Sequence, residues 1–324
     1  MKYVAKNKKN KKSKKILIIT LSVLAFCVAS FTFAFYGPIK FVKVSWITSA
    51  MTTLSHKWLA TAIYSDETIE QIMSENQTIY LNENSDENLI NITCDTKKDI
   101  ERIDIIDKDY KGYILKVYNP AKLKLVTTSD VEDHAKKLYE YYDAHNAIAA
   151  INGSGFSDSS GHSKGGNPAG VIMVDKKITF SQYDSYSDII GFTKEGKMLL
   201  GSYTKEELLE SNINSAISFS PPLIINGKKT TVLGDGGWGI APRTAIGQKA
   251  DGTIILLVID GRQLSSLGAT IPDLQEVMEE HGAINATTLD GGSSSIMMHE
   301  GKNVNYPCTS RRGRYLPNAI IIEK

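Results

Sequence analysis

Two apolar segments end in the same way, and together they restrict the fold more than any other feature of the chain. Thr253–Ile259 (TIILLVI) runs into Asp260-Gly261-Arg262. Ile284–Leu289 (INATTL) runs into Asp290-Gly291-Gly292, followed by Ser293, Ser294 and Ser295. Each reads as a buried β-strand that delivers a carboxylate to its C-terminal end. The turn that follows uses glycine, which tolerates positive φ and lets a ligand approach the backbone. A lone Asp-Gly-Gly is explained by a β-turn with Asp in its first position, but the repetition points to a shared site. Between the two segments Thr270 is a helix N-cap, Pro272 sits in the first turn, Leu274, Val277 and Met278 share a face, and Gly282 is the stop. If the two strands of this strand–helix–strand unit are parallel, Asp260 and Asp290 share one edge of one sheet, where ligands bind.

Globular patterning starts near Ile100 and alternates short strands with occasional helices. Tyr113, Leu115 and Val117 alternate as a half-buried strand, and Leu123–Val126 follows the Asn119-Pro120 turn. Val131, Ala135, Leu138 and Tyr142 recur at helical spacing, with Ser129 or Asp130 as N-cap. The strand Ala147–Ile151 then opens into the polar loop Asn152-Gly153-Ser154-Gly155-Phe156, which continues past His162, read as a solvated loop histidine, to Asn167. Turns follow at Asp175-Lys176-Lys177, Lys194-Glu195-Gly196 and Asn226-Gly227, and Thr204 with Glu207 forms a capping box. Glu300-Gly301 turns a last hairpin before the strand Asn318–Ile322. The expected class is α+β: a mixed β-sheet core with packed helices, preceded by a single transmembrane helix.

That helix is Ile16–Phe35, 20 residues without a charge, about 30 Å long at 1.5 Å per residue, enough to cross a bilayer. Eight lysines precede it, and the first acidic residue of the chain is Asp66. This flank predicts a cytoplasmic N-terminus and an exported C-terminal bulk at the plasma membrane. No small-residue cleavage site of signal-peptide type follows the run. The expected organisation is a basic tail over 1–15, the span over 16–36, a stalk over 37–97 and a globular domain over 98–324. Within the stalk Ile69, Ile72 and Met73 mark a short amphipathic helix, and the polar stretch Ser74–Thr96 is expected to be mobile.

Without the eight lysines, 29 basic residues face 36 acidic ones, so the folded part carries no signature of nucleic-acid binding. Cys94 and Cys308 lie beyond the span and leave a disulfide open without forming a framework. No CxxC or His/Cys spacing suggests zinc. Two further residues qualify as ligand contacts. Trp238, in the glycine-rich loop Gly234–Gly239, offers either a stacking surface for a sugar ring or an ordinary core-rim side chain. Arg243, at the start of a strand, can grip an anion through two N–H groups or pair with a neighbouring carboxylate.

The stretches AAINGSGF (Ala149–Phe156), NPAGVIMVDKK (Asn167–Lys177), SPPLIINGK (Ser220–Lys228), APRTAIGQKADG (Ala241–Gly252) and LLVIDGRQ (Leu256–Gln263) resemble the phosphodiester glycosidase family. GATIPDLQEVMEEHGAINATTLDGGSSSIMM (Gly268–Met298) and RYLPNAI (Arg314–Ile320) continue the likeness in the family's order. The family's Asn-Gly-Gly-Phe-type loop reads Asn152-Gly153-Ser154-Gly155-Phe156 here. The accessory domains of the family's lysosomal member, which removes N-acetylglucosamine from a phosphodiester on mannose, are not expected. The resemblance implies an extracytoplasmic hydrolase that cleaves a sugar, of N-acetylglucosamine type, from a sugar-1-phosphodiester in cell-envelope or exopolysaccharide glycans.

For that chemistry Asp290 and Asp260 are the candidate carboxylates, Asp290 foremost, and Arg243 would hold the phosphate. Asn152 and Ser294 would hydrogen-bond sugar or phosphate, assisted by the amides of Gly291 and Gly292, with Trp238 against the sugar. The residues make no cofactor certain, and a divalent ion bridging Asp260 or Asp290 to phosphate is left open. Two rival readings stand beside this one: a serine hydrolase using Ser294 with His281 or His299, and a non-catalytic wall-glycan binder that keeps Trp238 and Arg243.

Overall fold

A computed structural model of the chain describes residues 2–53, 56–79, 83–98, 100–128, 135–157 and 165–324, with side chains from residue 13 onward. The class is α+β. A seven-stranded antiparallel sheet runs in the order 228–229, 222–225, 283–289, 243–249, 254–259, 111–117 and 101–106. The Arg243–Lys249 strand lies between Ile254–Ile259 and Ala283–Leu289 and is antiparallel to both. The two Asp-bearing strands are therefore parallel to each other, with one strand inserted between them. Register places Arg243 opposite Ile259 and Thr244 opposite Leu289, so Arg243, Asp260 and Asp290 all meet at one sheet edge.

The apolar run of Ile254–Ile259 is explained by burial on both faces. Ile254, Leu256 and Val258 enter one core and Ile255, Leu257 and Ile259 another. The first core is shared with two five-stranded sheets, which contribute Ile151 and Ile320 from one and Ile190 and Ile217 from the other. The second core is covered by the Ile271–Glu280 helix through Leu274, Val277 and Met278. Thr270 caps that helix reciprocally with Asp273, and Thr204 does the same with Glu207 at Lys205–Glu210. The expected hairpins at 175–177, 194–196, 226–227 and 300–301 all connect paired strands. The helix expected from Val131 is described only as Leu138–Ala144, with Lys137 in the cap position. Its proposed caps Ser129 and Asp130, like His162, lie outside the described residues.

The N-terminal region comprises helices α1 (Lys2–Tyr36), α2 (Lys40–Met51), α3 (Trp58–Thr61) and α4 (Asp66–Glu75). Ser13–Tyr36 of α1 is long and apolar enough to cross a membrane, and its most apolar part is not buried by the described residues. The segment read as a stalk has more structure than its composition suggests. Ile47, Ala50, Ala60, Tyr64 and Ile69 form a small core of their own. Tyr36 donates to the Ile63 carbonyl (2.8 Å), Tyr64 to the Phe35 carbonyl (2.8 Å), and the Phe35 and Trp46 rings meet edge to face at 4.9 Å. The Thr48 hydroxyl donates to Asp235 at 2.6 Å, tying α2 to the glycine-rich loop. Gly239 there has φ +61, and a Cβ at that position would lie 2.1 Å from Ser49 Oγ. The loop therefore touches α2 only because residue 239 has no side chain. Further on, Ser85 and Asn91 donate backbone bonds to Leu200 and Ala250 (2.7 and 2.9 Å). Those parts of the polar stretch expected to be mobile are laid onto the domain.

Candidate active site

At the edge where the three central strands end, a cavity of about 600 Å³ opens, within the range of small-ligand sites. Asp290, Gly291, Gly292 and Ser294 line it from one strand end, Arg243 and Trp238 from the next, and Arg262 and Arg314 from the sides.

The backbone on both sides of the Asp290 side chain is pinned. Its N–H donates to the Gly153 carbonyl (3.1 Å), and its own carbonyl accepts from Asn152 Nδ2 (2.7 Å). Asn152 Oδ1 in turn accepts from the Thr244 hydroxyl and the Ile296 N–H, both at 3.1 Å. Asn152 is fully buried and stitches two sheets together beneath Asp290, so it positions the carboxylate and does not reach the cavity. Ser154, the residue added to the loop, is absorbed by Asn318, which accepts from its N–H (2.9 Å) and donates to its hydroxyl (2.6 Å). The Gly292 N–H is committed to the Pro242 carbonyl at 2.7 Å, leaving Gly291 as the available amide of the pair.

Burial raises the Asp290 carboxyl to about 6, against the lowering effect of the neighbouring Ser294 hydroxyl and the charge of Arg314. Removing water disfavours the carboxylate, and the polar neighbours offset only part of that. At neutral pH the group is mostly ionised yet poised to titrate.

Arg243 is buried and held in a cage of carbonyls. Nε donates to Ala269 (2.9 Å), while Nη2 donates to Trp238 (2.7 Å) and Gly239 (2.5 Å). Nη1 makes no hydrogen bond among the described residues, and the residue lines the cavity. Desolvation brings the guanidinium down to about 10, and the charge of Arg262 pushes the same way. Arg262 itself is exposed at positive φ, and its Nη2 would lie 3.5 Å from a Cβ built on Gly292. Neither arginine forms an ion pair among the described residues. Arg314 donates to Ser293 Oγ (2.8 Å) and lies 4.4 Å from the Phe156 ring centre. Arg262 disfavours the charge on Arg243 while Asp235 and Asp273 favour it without forming an ion pair, and an anion brought between the two guanidinium groups would be held by both.

Asp260 departs from expectation. It shares the sheet edge but is absent from the cavity lining. Its carboxylate accepts from Asn305 Nδ2 (3.1 Å) and from the Tyr306 N–H (2.9 and 3.2 Å). These bonds oppose the rise that burial imposes on it. A carboxylate so engaged braces the 305–306 turn. Trp238 edges the cavity, packs on the sheet core, and its carbonyl holds Arg243. His281 and His299 do not line the cavity, so Ser294 meets neither histidine of the serine-hydrolase reading; His56 is the histidine in the wall. Among the described residues no three His, Cys, Asp or Glu side chains gather as a metal site. Cys94 and Cys308 are unbridged. Cys94 Sγ contacts the Tyr118 carbonyl at 2.9 Å and Cys308 Sγ the Gly292 carbonyl at 3.8 Å.

Sequence reasoning passed over Arg262, Arg314, Lys137 and the wall formed by Ser49, Thr52, Thr53 and His56. Arg262 was signalled by its place directly after Asp260-Gly261. The wall carries no sequence signal, because α2 reads as a continuation of apolar, span-like chain.

The fold and cavity define a class: an α+β protein with one poised carboxyl and several guanidinium groups converging on a sugar-sized pocket. The chain belongs to the phosphodiester glycosidase family, whose model matches residues 145–323. Similar proteins include the SPbeta prophage-derived uncharacterized protein YomE of Bacillus subtilis, 48% identical over 64 residues, 20% of this chain and 10% of that protein. The N-acetylglucosamine-1-phosphodiester alpha-N-acetylglucosaminidase of Mus musculus is 25% identical over 175 residues, 49% of this chain and 33% of the mouse protein. The chain thus spans a third or less of the length of these two relatives. The zebrafish enzyme of the same name, solved as a catalytic domain auto-inhibited by its pro-peptide, superposes with a TM-score of 0.57 at 21% identity, covering 70% of this chain and 82% of that one. A putative exported protein of Burkholderia pseudomallei gives 0.52 at 15% identity, covering 66% and 74%.

Proposed function

We propose that the protein is an extracytoplasmic glycosidase that hydrolyses sugar-1-phosphodiesters of cell-envelope or exopolysaccharide glycans, the sugar being of N-acetylglucosamine type. The carrying observation is Asp290: a carboxyl raised to about 6, pinned on both backbone sides, facing a cavity whose other charged wall residues are basic, three of them arginines. A phosphodiester keeps its negative charge throughout the working pH range, and Arg262 with the open edge of Arg243 suits that group. Breaking the C1–O bond expels a phosphate that is already a good leaving group, so little protonation is needed. The demand falls on the positive charge developing at C1, which the Asp290 carboxylate stabilises while water adds to C1. Trp238 provides the apolar face for the sugar.

The α1 span supports anchoring in the plasma membrane with the lysine-rich end inside. Protease added to intact cells then removes the domain and spares the tail. The activity is tested by incubating the purified chain with a chromogenic N-acetylglucosamine-1-phosphodiester and with a carboxylic ester. Release from the first, abolished in Asp290→Asn, carries the proposal. Release only from the ester transfers the role to Ser294, and binding without release leaves a glycan receptor.

A further inference from the structure

The wall of the cavity built by α2 has a second neighbour. Trp46, whose ring packs on Phe35 at the end of α1, precedes Ser49 in the cavity wall by three residues, one helical turn or about 5 Å of rise. The two tyrosine bonds Tyr36–Ile63 and Tyr64–Phe35 clamp the same junction. The site therefore opens beside the C-terminal end of the apolar helix, with α2 leading from one to the other.

The surface around that junction is composed for a bilayer interface. Ile39, Phe41 and Trp58 are exposed, at 41%, 67% and 59%. Lys40, Lys43 and Lys57 accompany them, and no acidic residue occurs before Asp66. Exposed aromatic and apolar side chains among lysines, continuous with an apolar span, form the belt that proteins place at the headgroup level of anionic membranes. The occupant of this face is thus the bilayer that α1 enters. The turn that carries Arg262 displays Leu264 and Leu267, both exposed, so the chain beside that arginine is itself apolar.

On these observations, and resting on the activity proposed above, we infer that the substrate is borne by a membrane lipid: a sugar 1-phosphate esterified to a lipid alcohol in the same bilayer. Water adds its oxygen to C1 and the C1–O bond breaks. The free sugar leaves to the outside, and the lipid alcohol keeps the phosphate as a monoester, with the second proton of water passing to solvent or to the phosphate. Lys40, Lys43 and Lys57 hold the interface, Arg243 and Arg262 take the phosphate, and Leu264 and Leu267 meet the first carbons of the lipid.

The test uses the full chain reconstituted in vesicles containing anionic phospholipid. Two substrates are compared, N-acetylglucosamine 1-phosphate esterified to a C15 isoprenoid alcohol in the same vesicles and the corresponding methyl ester in solution. The expected result is preference for the lipid ester, and a fall of about tenfold or more in that rate alone for Phe41→Ser/Trp58→Ser and for Leu264→Ser, as loss of one or two buried apolar side chains predicts. Independently, headgroup-proximal brominated lipid should quench a part of the tryptophan emission that disappears in Trp58→Phe. Equal rates on both esters, or variants that lower both rates alike, overturn the inference and leave the glycosidase reading standing. If the folded chain cleaves neither ester, the glycosidase reading itself fails, and this inference with it.

Discussion

Asp290 and Arg243 sit at the ends of neighbouring strands at one edge, yet their surroundings give them different work. Asp290 is destabilising when charged: its folded value of about 6 lies above the unfolded value near 3.9. Its ionisation therefore costs nothing below about pH 4, costs progressively more through pH 6, and costs the full amount above it. Asp290→Asn removes that cost, so melting temperature should rise at pH 8 and stay unchanged at pH 4, while kcat falls by about three orders of magnitude. Differential scanning calorimetry at both pH values, beside turnover of a phosphodiester, checks this; a melting temperature lowered at pH 8 would mean that Asp290 serves the fold. In the unaltered protein kcat/KM should decline below about pH 6 as the carboxylate is protonated.

The two arginines separate by the same reasoning. Arg243→Lys cannot reach the carbonyls of Ala269, Trp238 and Gly239 and still face the cavity, so stability and activity should fall together. Arg262, exposed and without an ion pair among the described residues, should behave otherwise. Arg262→Gln should leave melting unchanged and lower kcat/KM for phosphodiesters by about ten- to a hundredfold, the worth of a charged hydrogen bond. Steady-state kinetics with a phosphodiester and a neutral aryl glycoside decides the case, since a general loss on both substrates would remove Arg262 from the phosphate.

At the scale of elements, what could be read from the residues alone was whatever rests on short-range rules. The strand ends at Asp260 and Asp290, the caps at Thr204 and Thr270, and the turn at Asn226-Gly227 are local chemistry, and all form. Which way a side chain faces at a strand end depends on the neighbouring sheet. Asp260 could be separated from Asp290 only once Asn305 and Tyr306 were seen to claim it. The roles of Asn152 and α2 were illegible for the same reason, being set by contacts with residues 138 and 187 positions away. The α2 wall supplies a prediction. In Gly239→Ala the new methyl must occupy the space of Ser49 Oγ at positive φ, costing about 2 kcal/mol or more. Because the same loop holds Arg243, activity should fall before global stability does, which parallel activity and unfolding curves in urea will show.

For the whole molecule, three sheets meet around one core and the cavity lies where the seam between two of them reaches the surface. Two thiols outside the span should titrate in the unreduced protein, and blocking Cys308, beside the Gly292 carbonyl, should inhibit where blocking Cys94 does not; a single thiol count of zero would contradict the arrangement. The clamp between Tyr36, Tyr64 and Trp46 has a consequence for selectivity. A catalytic domain on a loose tether samples every linkage within its radius, whereas one bolted to its anchor reaches a single stratum above the surface. Among chemically identical bonds repeated along a polymer, such a molecule would discriminate by altitude, cutting the one nearest the lipid and ignoring its copies farther out.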